Sequence, residues 1–374
     1  MLSLININRK IEKIKTTVLS LKELKKQQKT SLFQTYYPEY NSRRKSIEVI
    51  KKEQKKYVLA YSRPNDYYFL YGFDIEGFRD TNQYIDYLTI FRSTRDRLNK
   101  SPNSPYVVLR DKLLFGVVAE GLGINTPHNI ALIDKLSVFN IFENSKPLGF
   151  IKLDDLTRVF NNIDAFCKLV DGECANGVFS LKINDGTVFL DGKPSSIYEL
   201  EKIVKGKRFI IQNRIEQHNL LSAIYPRSIN TIRLVTVYNK INDEIEAFSA
   251  VLRVGTGENR VDNWAAGGLS IGINIEKGVL RKYGFYKPGF GTKTERHPDS
   301  GVQFENYVLP FFKEAIDMAK RFHYYLKGIH SVGWDIAITP QGPCFIEGND
   351  NWEISLMQAC NGGLKEQFNR LFIN

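Results

Sequence analysis

Ile7, Ile11, Ile14, Val18, Leu21 and Leu24 recur every three or four residues, the spacing of one helical face. Lys10, Lys13, Lys15, Lys22, Lys25, Lys26 and Lys29 occupy the other face, and further basic runs follow at Arg43-Arg44-Lys45, Lys51-Lys52 and Lys55-Lys56. Residues 61–107 are aromatic and irregular. Leu109 to Phe115 opens a helix running to about Glu120, and Gly121, Gly123 and Pro127 stop it. From there the period falls to two. Phe166 to Val170, Val178 to Ile183, Thr187 to Leu190 and Arg208 to Gln212 read as short strands; Thr231 to Tyr238, Glu246 to Val254 and Leu269 to Ile275 read as longer ones. Leu309 to Lys327 returns to a helical period. Ser331 to Asn351 reads as a hairpin whose turn is Thr339-Pro340-Gln341-Gly342, and a last helix is expected from about Ile354 to Phe372.

That hairpin carries the strongest chemical signal. Asp335 lies mid-strand in the first arm. Glu347 and Asn349 end the second arm two residues apart, so their side chains point the same way. An antiparallel pairing places Asp335 opposite them. Two carboxylates converging among apolar neighbours repel each other and are costly to desolvate, and a divalent cation offsets both penalties. Oxygen-only donors select a hard cation, Mg²⁺ or alternatively Mn²⁺. The competing reading is a solvated hairpin with scattered acids.

Composition narrows the field. The 374 residues are 43% hydrophobic and 25% charged, an ordinary globular profile with room for two or three domains. No apolar run reaches the roughly 18 to 20 residues a bilayer span needs, and Arg9-Lys10 interrupts any signal-peptide pattern, so the expected compartment is the cytoplasm. Cys167, Cys174, Cys344 and Cys360 match no zinc spacing and read as reduced thiols. There is no HExxH and no Walker A sequence, and Gly255-Thr256-Gly257 lacks the third glycine of a dinucleotide fingerprint. The net charge of +11 points to an anionic partner. The basic N-terminus reads as a helix packed on the main body with its charges in water, or as an amphipathic helix on anionic lipid or a membrane partner, peripheral to the inner face of the membrane. Nucleic acid ranks third, because Tyr36-Tyr37 and Tyr67-Tyr68 are not interleaved with the lysines.

Other positions fit an anion. Lys112 falls in a first helical turn, where the dipole disfavours a cation, so it is either exposed or held by an anion. Lys168 precedes a loop containing Gly172 and Gly177, whose amides would share a phosphate's charge with it. Arg233 and Arg253 interrupt apolar β-runs; a phosphate, a substrate carboxylate or a structural Asp or Glu would serve as counter-charge. Residues 260–268, with Asp262, Asn263, Gly267 and Gly268, look like a substrate-facing loop.

In order, the carrying residues are Asp111-Lys112; Lys168 with the Gly172 to Gly177 loop; Ile211-Gln212; Asn230-Thr231-Ile232-Arg233; Arg253; Val261-Asp262-Asn263 with Gly267-Gly268; and Gly333-Trp334-Asp335 with Glu347-Gly348-Asn349. This succession resembles the ATP-grasp superfamily, and more closely the sugar-transfer-associated ATP-grasp proteins found with polysaccharide-assembly enzymes, over roughly residues 105–365. The resemblance implies an α+β, ATP-grasp fold in which two α+β lobes grip ATP, preceded by a basic helical N-terminal segment. The implied divisions are 1–60 for that segment, 61–165 for a pre-ATP-grasp region, 166–220 for a small lid subdomain and 221–374 for the metal-bearing subdomain.

The resemblance also implies roles. Lys112 and Lys168 contact the phosphates, and residues 171–177, with Gly172 and Gly177, form the mobile lid. Gln212 to Ile215 line the adenine, with Glu216 or His218 near the ribose. Asp335, Glu347 and Asn349 hold Mg²⁺. Arg233 and Arg253, with Asp262 and Asn263, serve catalysis by stabilising the transferring phosphoryl group or an acyl phosphate. Two departures stand out: Lys168 is followed by Leu169-Val170 where many relatives have proline, and the lid contains the anion Glu173. The implied activity is an ATP- and Mg²⁺-dependent carboxylate–amine ligase in surface polysaccharide or capsule biosynthesis, joining small-molecule carboxylate and amine substrates through an acyl phosphate. A phosphotransferase acting on a hydroxyl, and a catalytically weak nucleotide-binding module docked on a glycan-assembly partner, are the alternatives.

Overall fold

The β-branched runs fold into two antiparallel sheets in a computed structural model that describes residues 2–29, 35–140, 151–160, 162–172 and 177–373, with backbone alone for 2–10 and 140. Ahead of the sheets come α1 (Leu2–Gln27), α2 (Ile47–Tyr61), α3 (Arg92–Asn99), α4 (Val107–Arg110) and α5 (Lys112–Gly121). The helix expected over 109–120 is thus two helices. Asp111 between them is extended (φ −113°, ψ 111°), and its carboxylate accepts from the amides of Leu113 and Leu114, both at 2.9 Å, capping α5.

The first sheet contains β1 (Asn129–Asp134), β2 (Ser137–Asn140), β3 (Ile151–Lys152), β4 (Asn162–Leu169), β5 (Val178–Asn184), β6 (Thr187–Leu190), β7 (Lys193–Ser195) and β8 (Arg208–Asn213), in the order β3-β2-β1-β8-β4-β5-β6-β7. One face packs Ala165, Cys167, Leu181, Ile183 and Ile211 against α6 (Leu156–Val159) and α7 (Ile197–Val204). Side chains alternate, so Lys168, Ile210 and Gln212 face the other way. There Ile210, Leu132 and Val170 meet Leu113 of α5.

After α8 (Asn219–Ile224) comes the second sheet: β9 (Thr231–Asn239), β10 (Glu244–Val254), β11 (Leu269–Asn274), β12 (Val279–Tyr286), β13 (Lys293–Thr294), then α9 (Phe312–Tyr325), β14 (Ser331–Thr339) and β15 (Gly342–Asn349). The order is β13-β12-β11-β10-β9-β14-β15. Ile232, Leu234, Trp334, Ile336 and Phe345 pack under α9 and α5 through Phe322 and Phe115. The opposite face divides. Val235, Val237, Phe248 and Val251 are covered by aromatic residues between 36 and 91, together with Trp352 and the helices α10 (Ile354–Asn361) and α11 (Lys365–Phe368). Further along the same face, Arg233, Arg253 and Asp335 look toward the first sheet. The single long last helix is not formed: Gly362 (φ 92°) ends α10, and a Cβ on Gly363 would meet Gln83 backbone at 2.6 Å.

In α1, Leu24 is buried against α2, and Ser20 Oγ donates to the Ser62 carbonyl (2.8 Å). Ile11, Ile14, Val18 and Leu19 remain exposed, at 45%, 64%, 47% and 64%. No helix among the described residues is long and apolar enough to cross a membrane. Cys167, Cys344 and Cys360 are buried free thiols, and Cys174 lies outside the described residues.

Candidate active site

A bulge creates the acidic pair. In the β14–β15 ladder Ile336 stands opposite Phe345, yet Asp335 stands opposite Glu347, so Ile346 is extra. In an unbroken register Asp335 would face Ile346. The bulge puts two carboxylates side by side, with Asn349 opposite Gly333 on the same side. Asn349 Nδ2 donates to the Gly333 carbonyl at 3.3 Å and lies 3.5 Å from Glu347 Oε1.

The neighbouring strands supply the cations. Arg233 stands opposite Asp335 in the β9–β14 ladder and donates to both of its oxygens, through Nε and through Nη2 at 2.9 Å. Arg253 Nη2 reaches Asp335 Oδ2 at 3.4 Å and Asp262 Oδ1 at 3.1 Å, and its Nε donates to Thr231 Oγ1 at 3.1 Å. Asp262, buried itself, also accepts from the Thr231 amide (3.0 Å) and hydroxyl. The inward arginines therefore meet structural carboxylates, one of the counter-charges left open by the sequence. Burial alone would raise Asp335; the two guanidiniums outweigh it and hold its carboxyl down at about 2. Glu347 moves the other way, raised first by burial and then by the charge of Asp335. Asn263 shapes the adjoining turn, its Oδ1 accepting from the Ala265 amide at 2.8 Å.

Lys168 approaches from β4 of the first sheet and Lys112 from the start of α5. Lys112 Nζ donates to the Gly172 carbonyl and lies 4.0 Å from Glu347 Oε2, while its amide donates to the Val170 carbonyl (3.0 Å). The cation in the first helical turn is thus half-buried and held by a backbone carbonyl, with the Glu347 carboxylate 4.0 Å away. Burial pushes Lys168 down to about 8, against the pull of Glu347 and with the push of Lys112. Gly177 (φ 70°) closes on Leu169, where an added Cβ would come within 2.9 Å of the leucine Cβ. The loop tip 173–176, with Glu173, lies outside the described residues.

The adenine and ribose candidates diverge. Gln212 is buried; its Nε2 donates to Asn129 Oδ1 (2.7 Å), and its Oε1 has no partner among the described residues. Ile215 is half-buried and Glu216 exposed. His218 has a structural task, since its Nδ1 accepts from the Leu220 amide (3.1 Å) and caps α8.

The donor set fits a hard cation. Asp335, Glu347 and Asn349 offer oxygens on one face of a rigid hairpin, those of Asp335 shared with Arg233. Among the described residues no cluster of three His, Cys, Asp or Glu side chains forms a metal site; the third donor here is an amide oxygen.

The sequence reading missed the clamp behind this site. Arg110 grips Asp350 bidentately at 2.9 and 2.8 Å, Asn99 Nδ2 holds the carbonyls of Ser331 (2.9 Å) and Asp350 (2.7 Å), and Arg95 donates to the Trp352 carbonyl. It weighed Tyr67 only as a stacking residue for nucleic acid and passed over Glu353; both sit in aperiodic stretches. The available signal was proximity to Asn349 in sequence, which points to 350–353 but not to their partners.

The chain is similar to several solved structures. These include the D-alanine-D-alanine ligase from Coxiella burnetii (13% identity, TM-score 0.37, 71% of this chain and 58% of that one). They also include the carboxyaminoimidazole ribonucleotide synthase from Aspergillus clavatus complexed with ATP (10%, 0.39, 66% and 47%). A third is the biotin carboxylase domain of the Hydrogenobacter thermophilus 2-oxoglutarate carboxylase (10%, 0.39, 71% and 46%). The chain spans 42% and 58% of the length of the first two structures it matches. No curated protein matches it. The model of one family, sugar-transfer associated ATP-grasp, matches residues 92–371, from the start of α3 to the last helical turn, and the chain belongs to that family.

Proposed function

We propose that the chain is an ATP- and Mg²⁺-dependent carboxylate–amine ligase acting on a sugar acid or similar carboxylate in surface polysaccharide assembly. The observation that carries this reading is the convergence of Lys112, Lys168, Arg233 and Arg253 on Asp335 and Glu347 between two sheets. Two anions, the nucleotide and a carboxylate, must meet there, and the cations screen their repulsion. In this reading residues 166–220 form the lid lobe and 221–374 the metal-bearing lobe. The orphaned Gln212 Oε1 accepts from the adenine amino group, and Lys112 and Lys168 hold the phosphates. Mg²⁺ bound by Asp335, Glu347 and Asn349 supplies charge neutralisation at the phosphates, with Mn²⁺ as its substitute. Arg233 and Arg253 stabilise the transferring phosphoryl group as the substrate carboxylate attacks the γ-phosphorus. ADP leaves, and an amine then displaces phosphate from the acyl phosphate.

The exposed row Ile11, Ile14 and Val18, flanked by lysines, suits an anionic lipid surface and supports a peripheral position at the inner face of the membrane as part of this proposal.

The test is ATP consumption by purified protein with Mg²⁺ and a panel of sugar acids and amino acids, with hydroxylamine present. Hydroxamate appearing with ADP identifies acyl-phosphate chemistry. ADP with a phosphorylated alcohol and no hydroxamate replaces the ligase reading with a phosphotransferase. No ATP consumption with any substrate leaves a nucleotide-binding module.

A further inference from the structure

We propose that Tyr67, Trp264 and Glu353 form the acceptor subsite and that it takes a protonated primary amine. This rests on the ligase reading and names the class of its second substrate. Two chain paths lead from the cation cluster to the same corner. Along one, Asp262 pairs with Arg253, and Trp264 follows two residues later. Along the other, Asn349 ends β15 and the chain passes to Trp352, whose Cβ would touch a Cβ on Gly333 (2.7 Å), a position also 3.5 Å from Arg233 Cδ. Glu353 is the next residue. Tyr67 joins the two paths: its ring is parallel to that of Trp264 (centroids 6.1 Å apart, 6° between planes), and its hydroxyl donates to Glu353 Oε1 at 3.1 Å.

Glu353 engages its own helix only through the Ser355 hydroxyl. It stands at the start of α10 yet accepts none of that helix's amides. Both hydroxyl donors, Tyr67 and Ser355, meet the same oxygen, Oε1. Oε2 accepts no hydrogen bond, and the side chain joins no ion pair, among the described residues. It is partly exposed. Burial first, and the Glu353 charge second, hold the Tyr67 phenol above its usual range, so it remains a donor.

Chemistry gives the corner its occupant. Lys112, Lys168, Arg233 and Arg253 serve anions and repel an ammonium. A cationic acceptor needs one anionic anchor next to them, and an aromatic face adds attraction. Glu353 provides the anchor, and the partly exposed rim of the Tyr67 ring, stacked on Trp264 and Tyr71, borders it. On reaction the C–N bond forms as the C–O bond to phosphate breaks. One ammonium proton passes to Glu353, and the second proton the nitrogen sheds leaves with phosphate, so the charges balance.

The experiment is fluorescence titration of the full chain. All three tryptophans are largely buried, Trp334 at 0%, Trp352 at 1% and Trp264 at 6% exposure, and Trp264 is the one stacked on Tyr67 at the corner. The probes are glucosamine and ethanolamine, against glucose and ethylene glycol as hydroxyl counterparts. The expected result is saturable quenching by the amines only, at least tenfold weaker in Glu353→Gln, with a smaller loss in Tyr67→Phe, which keeps the stack. Equal binding of hydroxyl and amine probes, unchanged binding in Glu353→Gln, or no saturable response to either amine overturns the proposal. MgATP is titrated into the same samples. If the nucleotide binds and no amine does, the acceptor assignment alone fails; if the nucleotide does not bind, the ligase reading fails whatever the amines do.

Discussion

Glu347 sits between a carboxylate that repels its charge and a lysine that attracts it, with burial and Asp335 prevailing. Its folded pKa lies above the unfolded value, so the stability it contributes is present below pH 4.5 and is lost as pH rises through the folded value. At neutral pH Glu347→Gln should therefore leave the melting temperature unchanged or slightly raised, while Mg²⁺-dependent ATP turnover falls on the order of 10²- to 10³-fold. A lower melting temperature with turnover retained would mark Glu347 as structural. Lys168 titrates at the other end. Burial holds it at about 8, and a bound phosphate would raise it. Nucleotide binding then takes up a proton, and MgATP affinity should weaken by up to about tenfold per pH unit above 8. Lys168→Met should bind weakly at every pH and lose that slope, which calorimetric titration between pH 7 and 9.5 reads directly.

The strands that were legible are those buried on both faces. Strands β9, β10, β11 and β14 declare themselves through β-branched runs, because both of their faces are largely filled. Strand β12, with Arg281 and Lys282 exposed near the sheet edge, carries no such run and was passed over. The acidic pair was legible as a facing of Asp335 and Glu347, but the bulge that produces it was not, since an extra residue leaves no mark on composition. The hairpin's small residues have packing causes that the sequence conceals. A Cβ on Gly348 would lie 2.7 Å from Leu109 Cδ2 of α4, and 3.1 Å from the Trp334 ring. Gly348→Ala should accordingly cost about 1–3 kcal/mol through overpacking. It should also weaken Mg²⁺ binding by displacing Glu347 and Asn349, the residues on either side. Urea unfolding with a Mg²⁺-titration readout checks both; an unchanged midpoint would mean that α4 yields without strain.

At the scale of the molecule, the ATP-grasp lobes and the basic helical start were readable, while the role of residues 36–91 was not. Their aromatic positions follow no helical or strand period. Tyr36, Tyr37, Tyr68, Leu70, Tyr71 and Phe73 are buried only because the second sheet presents Val235, Val237, Phe248 and Val251 to them. The family match begins at residue 92, yet the core does not. Each large apolar side chain stripped of cover loses roughly 1.5–3 kcal/mol, and several lie under this segment, against a total stability of about 5–15 kcal/mol. A chain beginning at residue 92 should therefore be insoluble. A chain lacking residues 2–29 gives up mainly Leu24 and the Ser20 and Thr17 contacts to Ser62, so it should melt within a few degrees of the full chain and bind MgATP equally. Its difference should lie elsewhere. Without the exposed row Ile11, Ile14 and Val18 and its lysines, it should no longer co-sediment with vesicles containing anionic lipid at low salt. Equal sedimentation of the two chains would assign the first helix to packing alone and leave the net charge of +11 to the nucleotide.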